Sequence, residues 1–391
     1  MTAADPGATP AAERAPAPDL ARGVMLLLIA LANVHRFVFG AVPGQLGGVD
    51  RAVVLVETVL VDGRAYPLFG LLFGYGVVQL ARRRDARSGV ALVRRRGGWM
   101  IAIGLVYGLL LFSGEIVGAY GVLAVLLAGV LVRGSEAALF TVAVGGLVLV
   151  GALTSGVPPV PGSPQGSFVS ITLAAPMQAL VARTGEWALS GLLGQAVGVV
   201  GAIAIGALAA RARVLDEPEQ HRRLLARTAV AGLVPAVLGG LPQALLLIGV
   251  WTPSAELVAL SSSVHALTGY AGAAGYAALF GLLACRVGRA PSRAAGALRA
   301  AGQRSLSCYL TQSVVFVALF PAWTLGLGAT TPLWGAALIG IGTWLLTVAL
   351  AVTSAHTGRR GPAEALLRRL TYGPGSGRNA RPGEARPDER V

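Results

Sequence analysis

Lysine is absent from this chain: all 32 basic residues are arginine, set against 18 acidic ones. Cysteine is scarce as well, with two in 391 residues. Cys285 and Cys308 both fall near inner ends of apolar runs, where thiols stay reduced, so they imply neither a disulfide nor a metal site. The four histidines (His35, His221, His265, His356) are dispersed. Neither H-x-x-x-H nor H-E-x-x-H occurs, which argues against bound zinc. A phosphate-binding P-loop, a dinucleotide fingerprint after a strand and a G-x-S-x-G elbow are also missing. The common signatures of nucleotide hydrolysis, nicotinamide chemistry and serine hydrolysis are therefore not available to this chain.

What is present is apolar. The chain is 54% hydrophobic and 13% charged, with a mean hydropathy of +0.68, too little polar surface to cover a soluble globule. A lipid bilayer is the partner this implies. The net charge of +14 is divided among short loops rather than gathered in one patch, which argues against nucleic acid. Arginine in place of lysine, with abundant Ala, Gly and Val, points to a GC-rich bacterial genome and a multi-pass protein of the cytoplasmic membrane.

Apolar stretches recur at 22–42, 65–81, 97–113, 115–133, 137–153, 187–210, 228–250, 257–284, 305–325 and 333–353. A helix needs ~20 apolar residues to cross the hydrocarbon, so these predict an all-α polytopic bundle of about ten transmembrane helices. The arginines decide its orientation. Runs at 82–96, 211–227, 286–304 and from Arg359 onward fall at alternate junctions, the pattern of cytoplasmic loops. With both termini cytoplasmic, only Arg36, Arg51, Arg64 and Arg183 of the 32 are left outside.

Residues 1–19, rich in Ala and Pro, are expected to be a disordered cytoplasmic leader, residues 20–372 the transmembrane domain and 373–391 a disordered tail. No A-x-A-like cleavage site follows the first span, which should stay as a helix. Residues 50–61 (DRAVVLVETVLV) suit an amphipathic helix at the outer interface. Residues 154–186, opening on four prolines, form the longest outer loop.

Polar residues inside a membrane are costly and so informative. His35, Asp62, Arg64, Glu115 and His265 all fall toward the outer ends of their spans. His35 lies 13 residues after Arg22, a rise of ~20 Å on an α-helix. Two readings of it stay open. One is an interfacial histidine bonded to water or a carbonyl; the other is a catalytic base oriented by a carboxylate, Glu115 first and Asp62 second. In the ninth span Ser305, Tyr309 and Gln312 recur at i, i+4, i+7 and share one face that should point into the bundle, as interhelical bonding or as substrate contacts.

Several of these residues sit in recurring motifs. Arg22-Gly23 leading to Asn33, Asp62-Gly63-Arg64 followed by Leu68 to Gly76, and Ser113-Gly114-Glu115-Ile116 running to Tyr120-Gly121 form one group. Gly302 to Ser313 and Gly361-Pro362 with Glu364 and Arg368 form another. Together they resemble the bacterial YeiB-like membrane proteins, known as domain of unknown function 418, over roughly residues 20–373. The chain departs from that pattern with Glu115 where the family commonly has Asp and with Tyr107-Gly108 where a His-Gly pair is frequent.

That family is in turn distantly similar to integral-membrane acyltransferases, and the resemblance implies a route for an acyl group from a cytoplasmic acyl-CoA to a cell-envelope acceptor. It implies His35, Glu115 and Asp62 as the catalytic group and Arg22 as a contact for donor phosphates. Asn33, His265, Tyr309 and Gln312 would face the substrate. In the related sugar O-acetyltransferases a histidine stands where this chain has Asn33. A second class, transport or export of a small molecule, requires a polar path without a base, and both classes stay open. No other cofactor is indicated.

Overall fold

The computed structural model describes residues 16–40, 46–82, 84–154, 168–289 and 292–373. Among them it is all-helical, without a strand. The helices are α1 (Pro16–Val34), α2 (Gly48–Leu60), α3 (Ala65–Ala81), α4 (Ala86–Leu110), α5 (Val117–Arg133) and α6 (Glu136–Thr154). They continue with α7 (Val169–Thr172), α8 (Pro176–Glu186), α9 (Gln195–Arg211), α10 (Arg222–Leu247) and α11 (Ala255–Arg289). The chain then forms α12 (Arg293–Gln303), α13 (Ser305–Leu319), α14 (Leu333–His356) and α15 (Pro362–Tyr372).

Each of the ten expected spans falls on a helix. Six helical stretches have the length and hydropathy to cross a membrane: Ala17–Phe37, Glu136–Thr154, Pro176–Arg211, Arg222–Leu247, Ala255–Val287 and Leu333–His356. Val117–Arg133 and Ser305–Leu319 are apolar but shorter. The chain is a multi-pass membrane protein. Its outward side chains agree, with Leu126, Phe140 and Leu189 more than 60% exposed on apolar helices, a pattern that lipid tolerates and water does not.

Three expectations change in detail. The leader was drawn to residue 19, but α1 begins at Pro16 and Ala17, Asp19 and Leu20 are buried against the bundle. Residues 1–15 and the tail from 374 lie outside the described residues. The arginine run 82–96, expected as a loop, is largely the first turns of α4, which Asp85 starts by accepting hydrogen bonds from the N–H groups of Arg87 and Ser88, each at 3.0 Å. The outer segment 154–186 is helical over α7 and α8, and continues through a π-helical stretch, Trp187–Gly194, into α9.

α3 runs through the middle of the bundle and packs on α9, where glycine removes the side chains that would keep the backbones apart. A Cβ on Gly74 would fall 2.0 Å from the Ile203 carbonyl oxygen, and one on Gly206 would fall 1.9 Å from that of Leu71. These small-residue contacts substitute for the hydrophobic drive that lipid cannot supply between helices. α1 lies beside α3, α12, α13 and α14, so its polar residues face several neighbours at once.

Candidate functional site

His35 follows α1 in a 3-10 turn, His35–Phe37, and is buried. Its Nδ1 lies 2.5 Å from Glu57 Oε2 on α2, and its Nε2 lies 3.1 Å from the Leu333 carbonyl at the start of α14. That carbonyl can only accept, so Nε2–H donates to it while Nδ1 shares a proton with the carboxylate. The carboxylate partner is therefore Glu57, not Glu115 or Asp62. Glu57 was legible only as the second acid of an amphipathic helix, a residue that needs a partner where it is buried.

Glu115 does something else. Its carboxylate accepts the backbone N–H of Val117 at 2.5 Å and of Gly118 at 3.0 Å, and the indole Nε1–H of Trp187 at 2.9 Å. It therefore caps the N-terminus of α5, where the helix dipole favours negative charge, and ties α5 to the π-helical stretch. Asp62 sits in the turn before α3, buried, with its carbonyl accepting from Arg64 Nη1 at 2.5 Å.

Arg64 has no exposed surface. Nη1 also reaches His265 Nδ1 at 3.0 Å, and Nη2 donates to the Ala236 carbonyl on α10. A guanidinium fits there because glycines make the berth: a Cβ on Gly240 would lie 2.5 Å from Arg64 Nη2, and one on Gly272 would lie 3.0 Å from Cγ. His265 is thus a partner of Arg64 and is not brought to His35. Arg183 is likewise buried, donating to the Leu110 carbonyl at 3.0 Å and lying over the Trp323 ring. Two of the four arginines that broke the charge pattern are therefore consumed by the fold.

The remaining site residues meet along α3. That helix is buried throughout its first three turns except at Tyr66, Phe69, Phe73 and Gly76, which recur at i, i+3, i+7, i+10 and form one stripe. Asn33 accepts the Tyr66 hydroxyl at 2.7 Å at the N-terminal end of α3, where Arg36 lies over the Tyr66 and Phe168 rings. Arg22 lies at the other end, its Nη2 3.1 Å from where a Cβ on Gly76 would be. Arg22 and Asn33 are eleven residues apart, about 16 Å of helix, so the pair read from the sequence brackets the stripe. Tyr120 stacks on both Phe69 and Phe73, with centroids 5.0 and 4.8 Å away.

Tyr66 at one end of the stripe and Arg96, close enough to Arg22 at the other to feel its charge, each keep part of their surface accessible. Two phenols near the stripe stand out. The Tyr120 hydroxyl is buried without a hydrogen-bond partner, and that of Tyr309 lies beside Tyr107 without a bond of good geometry. Tyr107 itself bonds Ser313. Gln312 spends its amide on the Leu26 carbonyl at 3.3 Å, holding α13 to α1. Arg22 pairs with Asp19 at 3.5 Å. Tyr66, Tyr120 and Arg96 are the residues the sequence reading missed, since no single motif marks an aromatic stripe.

The two C-terminal motifs prove to be halves of one joint. Glu364 accepts the N–H groups of Leu306 at 2.7 Å and Ser307 at 3.2 Å, so α15 supplies the cap that α13 lacks. Among the described residues there is no group of His, Cys, Asp and Glu able to hold a metal.

Comparison with known proteins bears on the C-terminal part of the chain. No curated protein matches the chain. Residues 209–374 match the family described as Protein of unknown function (DUF418), a stretch that contains His265, the polar face of α13 and the Glu364 cap. The C-terminal part of the chain is thus similar to DUF418 proteins, consistent with the YeiB-like resemblance.

Proposed function

We propose that this protein of the bacterial cytoplasmic membrane passes an acyl group from a cytoplasmic acyl-CoA to an acceptor in the cell envelope. The observation that carries the reading is the half-buried stripe along α3. It has arginines at its inner end (Arg22, Arg96), aromatic walls in the middle (Phe69, Phe73, Tyr120) and polar groups at its outer end (Asn33, Tyr66, Arg36). Arginine forks match phosphate oxygens, and an apolar aromatic passage suits an acyl chain. In this reading ten helices span the bilayer and both termini are cytoplasmic. A cysteine introduced at Ser254 then reacts with an impermeant thiol reagent on intact cells, and one at Gln220 does not; labelling at 220 from outside overturns the orientation.

The base in this reading is His35: once its bond to the Leu333 carbonyl opens, the Nε2 proton passes to water and Nδ1–H donates to Glu57, which leaves a free lone pair on Nε2. One observation favours transport of the same anionic amphiphile instead. His35 lies two residues after Asn33, ~200° around a helix, and both its nitrogens are held by α2 and α14 rather than turned to the α3 stripe. Purified wild type, His35→Ala, Glu57→Gln and Tyr66→Phe separate the two. Acyl transfer predicts CoA release by the wild type and a drop of at least ~100-fold in His35→Ala, the range of a lost general base. Acyl-CoA binding with no turnover in any of the four proteins moves the assignment to transport.

A further inference from the structure

A cavity of about 320 Å³ lies at the end of the bundle where α3 stops, α4 begins and α5 stops. Its floor is apolar, made by Val78, Ala81, Leu131 and Val132, and three arginines, Arg82, Arg84 and Arg211, line it. Arg211 donates to the carbonyls of Gly134 at 2.7 Å, Leu131 at 3.2 Å and Val130 at 3.3 Å, which covers the C-terminus of α5. Arg82 pairs with Asp216 at 2.8 Å and donates to the Ala210 carbonyl. Arg84 has its guanidinium carbon over the ring of Tyr372, 5.8 Å from the centroid. It pairs with no carboxylate among the described residues.

Covering carbonyls accounts for Arg211 and part of Arg82. It does not account for a third guanidinium on the same cavity. Three positive charges meet the one carboxylate paired with them, Asp216, in a space of the size that small-molecule pockets have, from about 300 Å³ upward. The excess asks for an anion, and five N–H donors in a planar fork suit phosphate oxygens.

The apolar floor says which phosphate. Phe140, 63% exposed one turn into α6, marks a lipid-facing side at the end of the bundle where α5 reaches this cavity with Leu131 and Val132. A headgroup seated among the arginines could keep its chains on that side, as in basic pockets at the inner ends of transmembrane helices. We infer that the Arg82–Arg84–Arg211 cavity binds the phosphate of an anionic phospholipid of the inner leaflet. This rests on the orientation proposed above and is independent of acyl transfer.

The test is native mass spectrometry of the full-length protein released from mixed micelles of phosphatidylglycerol and phosphatidylcholine, with thermal midpoints measured in each lipid. The wild type should retain phosphatidylglycerol preferentially and be stabilised by it. Arg84→Gln should lose about tenfold in that preference, what one charge-assisted hydrogen bond is worth, with an unchanged midpoint in phosphatidylcholine. Ala86→Phe, at an exposed position on the cavity wall, should lose it by filling the space. Arg51→Gln, at an exposed site elsewhere, should not. Equal retention of both lipids by the wild type, or undiminished preference in both Arg84→Gln and Ala86→Phe, overturns the inference. Displacement by millimolar glycerol phosphate without any lipid preference overturns it in favour of a soluble phosphate ligand.

Discussion

His35 and Glu115 on one hand, and Tyr66 and Tyr120 on the other, are polar groups enclosed in an apolar bundle, yet the fold treats them differently. The first pair is saturated. His35 bridges α1, α2 and α14, and Glu115 takes three N–H donors from α5 and Trp187. The second pair borders the half-buried stripe of α3, and the Tyr120 hydroxyl has no hydrogen-bond partner among the described residues. Leaving a buried hydroxyl unsatisfied costs free energy, and at Tyr120, unlike at Thr58, the orphan stands on a ring stacked against that stripe. Saturation identifies the groups that hold helices together; the unsatisfied phenol identifies where a ligand would be felt.

The largest effect that could break this division is at Arg64. Its terminal nitrogens join the 62–64 turn to α10 and His265, in a berth lined by Gly240 and Gly272. Arg64→Leu removes at least two hydrogen bonds from a charged donor and leaves the berth half empty, costing about 3 kcal/mol or more. A collapse of monodisperse yield is expected, with a strongly lowered thermal midpoint in what remains. Wild-type stability in Arg64→Leu would mean that the outer cluster is not the frame of the bundle.

Glu364 offers the same test at the opposite end of the chain's architecture. Glu364→Ala exposes the Leu306 and Ser307 N–H groups at the start of α13, a loss of about 1–2 kcal/mol, and faster amide exchange at those residues should report it. Glu364→Gln keeps an acceptor and should recover part of the loss.

Much of this frame is legible in the chain because apolar length and arginine placement act locally: each expected span falls on a helix, and Tyr309 and Gln312 are buried, as a polar face in lipid requires. Pairing is what the sequence conceals. Glu57 reaches His35 from another helix, 22 residues along the chain, and nothing in the spacing of either says that α2 leans on the end of α1. Glu115 and Asp62 share a depth with His35, and depth alone does not choose among carboxylates. The Glu364 cap was visible as two motifs and invisible as one joint, since the partners lie on separate helices, α13 and α15.

A smaller effect sharpens the other half of the comparison. Tyr120→Phe deletes a hydroxyl that bonds nothing while keeping the ring stacked on Phe69 and Phe73, so stability should change by less than about 1 kcal/mol, in the stabilising direction. Ligand affinity should nevertheless fall, by roughly fivefold for one neutral hydrogen bond, when a non-hydrolysable acyl-CoA analogue is titrated by calorimetry. A structural tyrosine would show the reverse, lower stability with unchanged affinity.

The smallest effect belongs to Asp85, an exposed control where polar groups are answered by water as well as by the fold. Its carboxylate accepts from the Ser88 hydroxyl and the Ser88 and Arg87 N–H groups, and those bonds hold its pKa below the ordinary aspartate value. A carboxyl lowered in the folded state contributes stability that is present above its unfolded pKa and lost as pH falls through the folded one. Asp85→Ala should therefore lower the thermal midpoint slightly at pH 7, with the gap to wild type closing below about pH 4, where aspartate protonates. Asp85→Asn, which keeps the cap oxygen without the charge, should sit between them at pH 7 and show no such closing. A gap that persists unchanged into acid would assign the effect to helix propensity rather than to the carboxylate.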